Sequence, residues 1–439
     1  HVQLLLNSAW PDGVISGDCS SVESTFRSKF RLRKKTVITG GRSLCHSWVL
    51  TMDDKCCTCR APVNIAVIKY WGKRDEKLIL PVNSSLSATL GMDELHAKTS
   101  VAASSQFKDD RIWLNGKEES VSNARIQNVL KEIRRRYAQK GDGDSAVMKV
   151  HICSENNFPT AAGLASSAAG YACMVYTLAR LYGVDGELSE IARQGSGSAC
   201  RSVYGGFVLW EKGQRSDGKD SLAKQIAPAD HWPALRILIL VVSDQKKQVG
   251  STEGMQTTVA TSELMQRRIE VVPQHTEQMI KAIEDRDFET FARITMQESN
   301  QFHAVCLDTS PPVFYLTDTS RLIIQMVHAY NTMCKETRVA YTFDAGPNAC
   351  LYLMEEDVAR VVGLVNHFFP PGSDTSENFV RGRPVTLLQP SQEELAHFQI
   401  PRSESAIKYM IHTKVGSGPE ELNEEESLLT SSGLPKNLL

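Results

Sequence analysis

The stretch PTAAGLASSAAG, residues 159–170, restricts the fold of this chain more than any other feature of the sequence. It follows an alternating apolar segment typical of a strand, formed by Met148, Val150 and Ile152. The segment 168–182 after it is rich in Ala, Leu and Met, which predicts a buried helix. A loop of small residues between a strand and a helix exposes backbone N–H groups at the positive end of the helix. The stretch therefore predicts a loop that an anion such as phosphate can approach closely.

Two serines in this loop leave alternatives open. The hydroxyls of Ser166 and Ser167 lie where the helix begins, so they could cap the helix or bind a phosphate or Mg²⁺. The loop lacks the lysine of the G-x-x-x-x-G-K-[ST] motif, and no G-x-G-x-x-G motif follows a strand elsewhere. Because small residues also permit tight helix packing, the loop alone does not decide between anion binding and packing.

Three other stretches carry groups that bind anions or transfer protons. NIAVIKYWGKRDE (64–76) places two lysines and a tyrosine at the end of an apolar strand, and GSGSACR (195–201) ends on a guanidinium. YTFDAGPNA (341–349) places Asp344 in a turn after an apolar strand. Each stretch has an ordinary interpretation as solvated lysines, a linker or a turn. Their occurrence together in one chain favours an anion-binding active site.

The four stretches together resemble the motifs of the diphosphomevalonate decarboxylases, a family within the GHMP kinase superfamily, whose central motif is Pro-x-x-x-Gly-Leu-x-Ser-Ser. The resemblance extends from about residue 61 to about residue 418. It implies an α+β, two-lobed GHMP-kinase fold, with an N-terminal α/β lobe containing a left-handed βαβ crossover and a C-terminal ferredoxin-like lobe. It also implies a reaction that requires ATP and Mg²⁺. The tertiary hydroxyl of (R)-5-diphosphomevalonate is phosphorylated, and isopentenyl diphosphate, ADP, phosphate and CO₂ are released, a step of the mevalonate pathway of isoprenoid and sterol biosynthesis.

The resemblance implies a role for each matching side chain. Asp344 matches the aspartate taken as the general base, and Arg201 matches the arginine that binds the substrate carboxylate together with Asn64. Ser167 matches the serine nearest the transferred phosphoryl group and is the expected contact for Mg²⁺. With Arg201, the residues expected to bind the substrate are Lys69, Tyr70, Lys73, Ser196 and Ser198. The residues expected to bind ATP are Ala162, Gly163, Leu164, Ala165, Ser166, Ser167, Ser251 and Thr252.

A small-molecule kinase of the same superfamily, which stops at phosphorylation, is the alternative. Such kinases usually carry an aspartate in a Pro-Ser-Gly-x-Asp pattern, whereas this chain has Ser198-Ala199-Cys200-Arg201, without an acid. The acid is Asp344, in the second lobe. An arginine in place of the carboxylate suits a substrate that is itself an acid, so the decarboxylase is favoured. A non-catalytic relative is disfavoured because the residues that match the reaction are retained.

The composition between and beyond the motifs predicts the domain organisation. Residues 1–51 contain a basic cluster, RLRKK, and no sustained periodicity, which indicates a leader or disordered extension. We expect the N-terminal ATP-binding lobe at 52–235 and the C-terminal lobe at 236–417. The acidic segment 418–439 is expected to be a flexible, solvated tail.

Three local patterns carry structural expectations rather than functional ones. His303 is expected to be a structural residue on a helix that faces the core. Trp113 and Trp210 are expected to pack rather than to stack on bases. The helical pattern at 263–283 is expected to be interrupted near Pro273.

Charge and cysteine content bound the partners and the location. The 439-residue chain has a net charge of −2, so we expect no nucleic acid partner, and its six-residue aliphatic run at 237–242 is too short to span a membrane. The chain has 11 cysteines, an odd number spread along its length, which favours a reducing compartment. Cys56, Cys57 and Cys59 cluster without a second ligand pair, so a metal site there is disfavoured. We expect a cytoplasmic enzyme, with a minor peroxisomal pool left open, and the resemblance implies a homodimer.

Overall fold

A computed structural model of the chain describes most of its residues. The described ranges are 55–139, 148–158, 166–245, 247–372 and 378–438, with the backbone of Leu32–Thr39 (β1) and Ser43–Leu50 (β2). Strands β1 and β2 pair antiparallel as a separate hairpin. The other residues of the expected leader lie outside the described ranges, so the leader stays a prediction.

The first half of the chain builds two sheets. Their strands are Lys55–Pro62 (β3), Asn64–Ile68 (β4), Lys73–Asp75 (β5), Leu80–Pro81 (β6), Ser85–Thr89 (β7), His96–Ser104 (β8), Arg111–Leu114 (β9), Lys117–Glu119 (β10), Lys149–Asn156 (β11), Phe207–Trp210 (β12) and Ala223–Ala227 (β13). With Glu420–Glu421 (β19), they form a six-stranded sheet ordered β10-β9-β11-β8-β3-β19 and a four-stranded sheet ordered β13-β12-β7-β4, while β5 pairs with β6. The helices of this lobe are Ala124–Gln139 (α1), Ser166–Tyr182 (α2), Ser189–Gly195 (α3) and Ala199–Ser202 (α4).

Helix α2 packs on the six-stranded sheet, against β3 and β8. Its buried face carries small side chains, including Ala168, Ala169, Ala172 and Cys173, which allow the helix to approach the strands closely. Helix α1 connects β9 to the parallel strand β11, so these elements form the expected βαβ crossover. The left hand of that crossover stays a prediction.

The second half of the chain builds one further sheet with helices packed on it. Its elements are Leu235–Val241 (β14), Ser251–Thr261 (α5), Glu263–Asp285 (α6), Phe288–Leu307 (α7), Asp318–Cys334 (α8), Val339–Phe343 (β15), Ala349–Met354 (β16), Glu355–Phe368 (α9), Val380–Gly382 (β17), Gln392–Leu395 (α10) and Tyr409–Lys414 (β18). The strand order is β15-β16-β14-β18-β17, and the first four strands are antiparallel neighbours. Helices follow the first and third of these four strands along the chain. This is the expected ferredoxin-like arrangement, and the α+β fold is confirmed.

The expected interruption near Pro273 is wrong, because α6 runs without a break from Glu263 to Asp285. Pro273 lies on the exposed side of the helix. Val272 and Met279 are buried against the core, and the Ser262 side chain caps the first turn. Packing of this apolar face offsets the cost of a proline inside the helix, about 3 kcal/mol.

The acidic segment at 418–439 differs from the expected flexible tail. Strand β19 pairs antiparallel with β3 and so extends the N-terminal sheet. Leu429 is buried beside Trp113 and Cys153. Glu420 and Glu421 form ion pairs with Arg60 and Arg180. The sequence is rich in Glu, Ser and Gly, but these few apolar and paired groups suffice to order the segment against the lobe.

The described residues contain neither a membrane-spanning helix nor a cluster of metal-binding side chains. Within those ranges, no helix combines the length and the apolar character that crossing a membrane requires. The same part of the chain contains no group of three or more His, Cys, Asp or Glu side chains arranged to hold a metal ion. The sulfur atoms of Cys57 and Cys59 lie 3.7 Å apart, and both side chains are buried.

Candidate active site

The two lobes enclose a cleft of about 330 Å³. The segment after β4, the start of α2, the loop before α4, the start of α5 and the turn after β15 all reach it. Twelve residues expected from the sequence line this cleft: Asn64, Lys69, Tyr70, Lys73, Ser166, Ser167, Ser196, Ser198, Arg201, Ser251, Thr252 and Asp344. Ala162, Gly163, Leu164 and Ala165, also expected to bind ATP, lie outside the described residues. The structure thus brings the expected side chains together, while their individual roles stay predictions.

The charge of the cleft is strongly positive. Its cationic lining residues are Lys69, Lys73, Arg125, Arg201 and Lys247, whereas Asp344 is the one lining carboxylate among the described residues. Cations concentrated in a cleft attract anionic ligands and hold them at close range. The cleft is therefore suited to ligands that carry several negative charges.

Arg201, on the short helix α4, is buried with its guanidinium bound by neutral groups. Its Nε donates to the Asn64 Oδ1 at 3.2 Å and to the Ser87 Oγ at 2.9 Å, and its Nη1 donates to the Ser85 Oγ at 3.0 Å. Among the described residues, Nη2 has no hydrogen-bond partner and no carboxylate forms an ion pair with this arginine. Desolvation lowers the pKa of Arg201, which nevertheless remains a cation at neutral pH. Within the described part of the chain, the cleft thus contains a positioned positive charge that has no carboxylate in contact with it.

The side chain of Asn64, on β4, is itself fixed in orientation. Its Nδ2 donates to the Ser202 Oγ at 2.7 Å and to the backbone oxygen of Ser198 at 3.1 Å. These two bonds turn the amide oxygen of Asn64 toward Arg201. Asn64 therefore orients the guanidinium without adding a negative charge.

Lys69 and Asp344 meet across the cleft from opposite lobes. The Lys69 Nζ lies 2.6 Å from the Asp344 Oδ1. Lys69 follows β4 and its side chain is 3% exposed, whereas Asp344 follows β15 and is 26% exposed. The ammonium is therefore dry and fixed, and the carboxylate keeps a face open to the cleft.

A second group of donors surrounds Gly197. The hydroxyl of Tyr70 is buried and has no hydrogen-bond partner among the described residues. Burial raises the pKa of this phenol, so it remains a donor at neutral pH. A Cβ added at Gly197 would lie 2.8 Å from that hydroxyl and 2.9 Å from the ring of Trp210. Only glycine fits between them, and Ser196 and Ser198 on either side line the same wall. An orphaned hydroxyl beside two serines is the arrangement that phosphate oxygens can satisfy.

Two further cations complete this wall. Desolvation lowers the pKa of Lys73, and the nearby charge of Arg125 lowers it further. Arg125, in the first turn of α1, donates to the Thr252 Oγ1 at 3.0 Å. Two like charges brought this close indicate a wall built for an anion that would offset both.

Ser166 and Ser167 border two cavities at the start of α2. Beyond them lies an apolar cavity of about 250 Å³, lined by residues that include Ile112, Ile126 and Met174. The polar cleft is on their other side. The N-terminus of α2 thus stands between a cationic compartment and an apolar one.

The segment before α5 is fixed over the cleft by Lys247. Its Nζ donates to the Ser251 Oγ at 2.7 Å and to the Ala345 backbone oxygen at 3.0 Å. Desolvation lowers the pKa of Lys247, and the charge of Asp344 opposes this effect. These two bonds therefore hold the segment against the turn that carries Asp344.

His303 and the two tryptophans lie where packing places them. Burial lowers the pKa of His303 to about 3, with a further contribution from the charge of Lys69, so the ring is neutral at neutral pH. Trp113 and Trp210 are buried. A neutral, enclosed imidazole agrees with the structural interpretation of His303.

Some residues in and around the site are not predicted from the sequence. Arg125 lies on α1, outside every motif, and Ser85 and Ser87 lie on an unremarkable strand. Glu298, which hydrogen-bonds the backbone of Lys69, is one acid in a long helical pattern. The alternation of Ser85 and Ser87 within an apolar strand is the one signal that could have indicated inward-facing hydroxyls.

Comparisons with known proteins agree with this geometry. Residues 61–223 match the family model of the diphosphomevalonate decarboxylase-like N-terminal domain, and residues 237–422 match that of the mevalonate 5-diphosphate decarboxylase C-terminal domain. The diphosphomevalonate decarboxylase of Rattus norvegicus is 56% identical over 393 residues, covering 88% of this chain and 98% of its own. A solved structure of mevalonate diphosphate decarboxylase from Trypanosoma brucei has 39% identity and a TM-score of 0.76, covering 86% of this chain and 100% of its own.

A further solved structure, described as MDDEF in complex with MVAPP, AMPPCP and magnesium, is 29% identical with a TM-score of 0.65. It covers 84% of this chain and 100% of its own. The fold, the cleft and these matches define an enzyme with the GHMP-kinase fold. The chain belongs to the diphosphomevalonate decarboxylase family.

Proposed function

We propose that this chain converts (R)-5-diphosphomevalonate and ATP into isopentenyl diphosphate, ADP, phosphate and CO₂. The observation that carries the proposal is the guanidinium of Arg201, which is buried in the cleft and has no carboxylate partner among the described residues. A substrate carboxylate would supply the missing negative charge. A kinase whose substrate has no carboxylate would not need such a group.

Asp344 is the general base in this proposal. It takes the proton of the tertiary hydroxyl, whose oxygen forms a bond to the γ-phosphorus of ATP while the bond to ADP breaks. Lys69, 2.6 Å from the carboxylate, holds it in place for this step. The hydroxyl, a poor leaving group, thereby becomes a phosphate ester.

Arg201, oriented by Asn64, holds the substrate carboxylate during the second step. The bond between the tertiary carbon and the phosphate oxygen breaks, and positive charge develops on that carbon. The electrons of the bond to the carboxylate carbon then form the alkene, and CO₂ leaves. The neutral partners of Arg201 leave its charge available for the carboxylate.

The remaining residues bind phosphates. Tyr70, Lys73, Ser196 and Ser198 would hold the diphosphate of the substrate, since they form the wall around Gly197. Ser166, Ser167, Ser251 and Thr252 would hold the phosphates of ATP, and the apolar cavity beside α2 is suited to the adenine.

The residues present fit Mg²⁺ as well. This ion prefers oxygen ligands and usually retains waters and phosphate oxygens, so it does not need a cluster of carboxylates. The hydroxyl of Ser167 is an oxygen donor that lines the cleft beside the region of the phosphates. When bound, the ion offsets charge on the β- and γ-phosphates.

One assay tests the proposal against the kinase alternative. Purified protein is supplied with Mg²⁺, ATP and (R)-5-diphosphomevalonate, and ADP and CO₂ are measured together. The proposal requires one CO₂ for each ADP. ADP released without CO₂ would favour a kinase that stops at phosphorylation.

The homodimer and the cytoplasmic location stay predictions.

A further inference from the structure

A buried ionic cluster in the C-terminal lobe contacts the backbone of Lys69. Glu298, on α7, is completely buried, and its carboxylate accepts from the Arg268 Nη2 at 2.7 Å and from the His275 Nδ1 at 2.7 Å. Arg268 and His275 both lie on α6 and are buried too. None of the three lines the cleft. Burying the charges of Glu298 and Arg268 is costly, which points to a function beyond stability.

The cluster holds both polar groups of the Lys69 peptide backbone. The Lys69 N–H donates to the Glu298 Oε2 at 3.0 Å, and the Lys69 carbonyl accepts from the Arg268 Nη2 at 3.3 Å. The side chain of Asn83 also donates to that carbonyl at 3.0 Å. Lys69 follows the last residue of β4, so no neighbouring strand supplies these bonds. Buried backbone groups require partners, and here Glu298 and Arg268 of the other lobe provide two of the three.

We infer that Glu298, together with Arg268, is a positioning residue that sets the place of Lys69 and, through its ammonium, of Asp344. This inference rests on the proposed function of Asp344 as the base. Charged partners make the strongest hydrogen bonds. Here one acts on the peptide unit before the Cα of Lys69 and the other on the peptide unit after it, so together they fix the position and orientation of this residue. The Lys69 Nζ in turn contacts the Asp344 Oδ1. The path from Glu298 to the base therefore passes through one residue.

The charge of Glu298 is secure under assay conditions. Burial favours its neutral form, but the charge of Arg268 and the hydrogen bonds from His275, Arg268 and the Lys69 backbone lower its pKa to about 2. Replacing it with glutamine keeps the shape and removes the charge. The new NH₂ group faces donors, so at least one bond to Arg268, His275 or the Lys69 backbone is lost.

The test compares Glu298→Gln, Lys69→Met and the double variant by their pH–rate profiles. We expect Glu298→Gln to lower kcat about ten- to a hundredfold, since small misplacement of a catalytic group costs this much. The acid limb of its kcat profile should move to higher pH, because the Lys69 ammonium no longer lies against the Asp344 carboxylate. Lys69→Met should move the limb at least as far. The double variant should show the limb of Lys69→Met alone, because Glu298 acts through Lys69.

A matched control is Asp357→Asn. Asp357 is also a buried acid of the C-terminal lobe, and it accepts from the Tyr330 hydroxyl at 2.7 Å, away from the cleft. This variant should lose stability without moving the acid limb. If Glu298→Gln does not fold, Arg268→Lys carries the same test, since it keeps a cation beside Glu298 but withdraws the donor from the Lys69 carbonyl.

The outcomes distinguish failure of Asp344 as the base from failure of Glu298 as a positioning residue. An unmoved limb in Lys69→Met would overturn the part that Asp344 is proposed to play. A moved limb in Lys69→Met with an unmoved one in Glu298→Gln, or fully additive effects in the double variant, would overturn the positioning inference alone.

Discussion

Two cations of the same cleft, Arg201 and Lys69, are held in opposite ways. Arg201 is surrounded by neutral amide and hydroxyl oxygens, whereas Lys69 contacts a carboxylate at 2.6 Å. Both side chains are almost completely buried. Lys69 is paired with the carboxylate of Asp344, whereas Arg201 contacts no carboxylate of the described residues. The difference indicates that one side of the cleft is built to control a base and the other to bind an acid.

The largest effect should come from removing the base on the Lys69 side. Asp344→Asn should lower turnover by about a thousandfold or more, because the proton acceptor and its charge are both lost. Binding of ATP and of substrate should change little. Release of ADP and CO₂ gives the rate, and titration calorimetry gives the affinities. Turnover close to that of the parent enzyme would exclude Asp344 as the base.

The next effect should come from the Arg201 side. Arg201→Gln should lower kcat/KM about a hundred- to a thousandfold, because a neutral amide cannot replace the charged fork that the substrate carboxylate requires. Steady-state kinetics with (R)-5-diphosphomevalonate measures this loss. An unchanged rate would place the carboxylate elsewhere.

Arg193→Gln is the control for that variant. Arg193 is equally buried, but it donates to the backbone oxygens of Leu78 and Gly218 and does not line the cleft. It should lower the melting temperature while leaving kcat/KM close to that of the parent. Equal kinetic losses in both variants would mean that the loss in Arg201→Gln comes from general damage to the fold rather than from a lost contact with the substrate carboxylate.

A smaller effect is expected where a third cation ties the two sides together. Lys247→Met removes the bonds to Ser251 and to the Ala345 backbone, so the segment over the cleft loses its attachment to the turn of Asp344. We expect a loss of about tenfold in kcat/KM for ATP, equivalent to about 1.4 kcal/mol. Initial rates at varied ATP measure it. Lys408→Met, at a half-exposed ion pair with Asp244, should have no such effect.

The smallest effect concerns the pH dependence of stability. It reports how well the region around Lys69 excludes water. The folded-state pKa of His303 is about 3, below its ordinary value of 6.5. Between these values the unfolded chain binds a proton that the folded chain does not, so stability falls as the pH drops below about 6.5. His303→Gln should remove this dependence. Urea unfolding at pH 7.5 and 5.5 should find that the parent loses about 1 kcal/mol more than the variant. Equal losses in both would contradict a dry, neutral imidazole.

The sequence predicts the main residues on both sides of this comparison better than it predicts their surroundings. The motifs name Lys69, Asp344, Arg201 and Asn64, and the structure gathers all of them in one cleft. Short motifs succeed because the groups that meet substrates need specific residue types at local spacings. Two of the neutral groups around Arg201, the hydroxyls of Ser85 and Ser87, are not visible in any motif, because they come from strand alternation on β7.

Residues that act at a distance are the ones that sequence reasoning misses. Glu298 reaches Lys69 from 229 positions along the chain, and no local pattern encodes such a contact. Arg125 and the start of α5 also meet only in three dimensions. The continuity of α6 through Pro273 has the same origin, since long-range packing decides it against a local preference.

The antiparallel pairing of Glu420–Glu421 with β3 has a consequence for biosynthesis. Strand β3 precedes the C-terminal lobe, but its outer edge gains a partner only after some 360 further residues have been synthesised. The Cys57 thiol, for example, donates to the Glu421 carboxylate across 364 positions. Until then the nascent N-terminal sheet carries an open edge, the kind of surface on which chains associate wrongly. Completion of the first lobe therefore requires that the second lobe, which precedes this short strand along the chain, has already been synthesised.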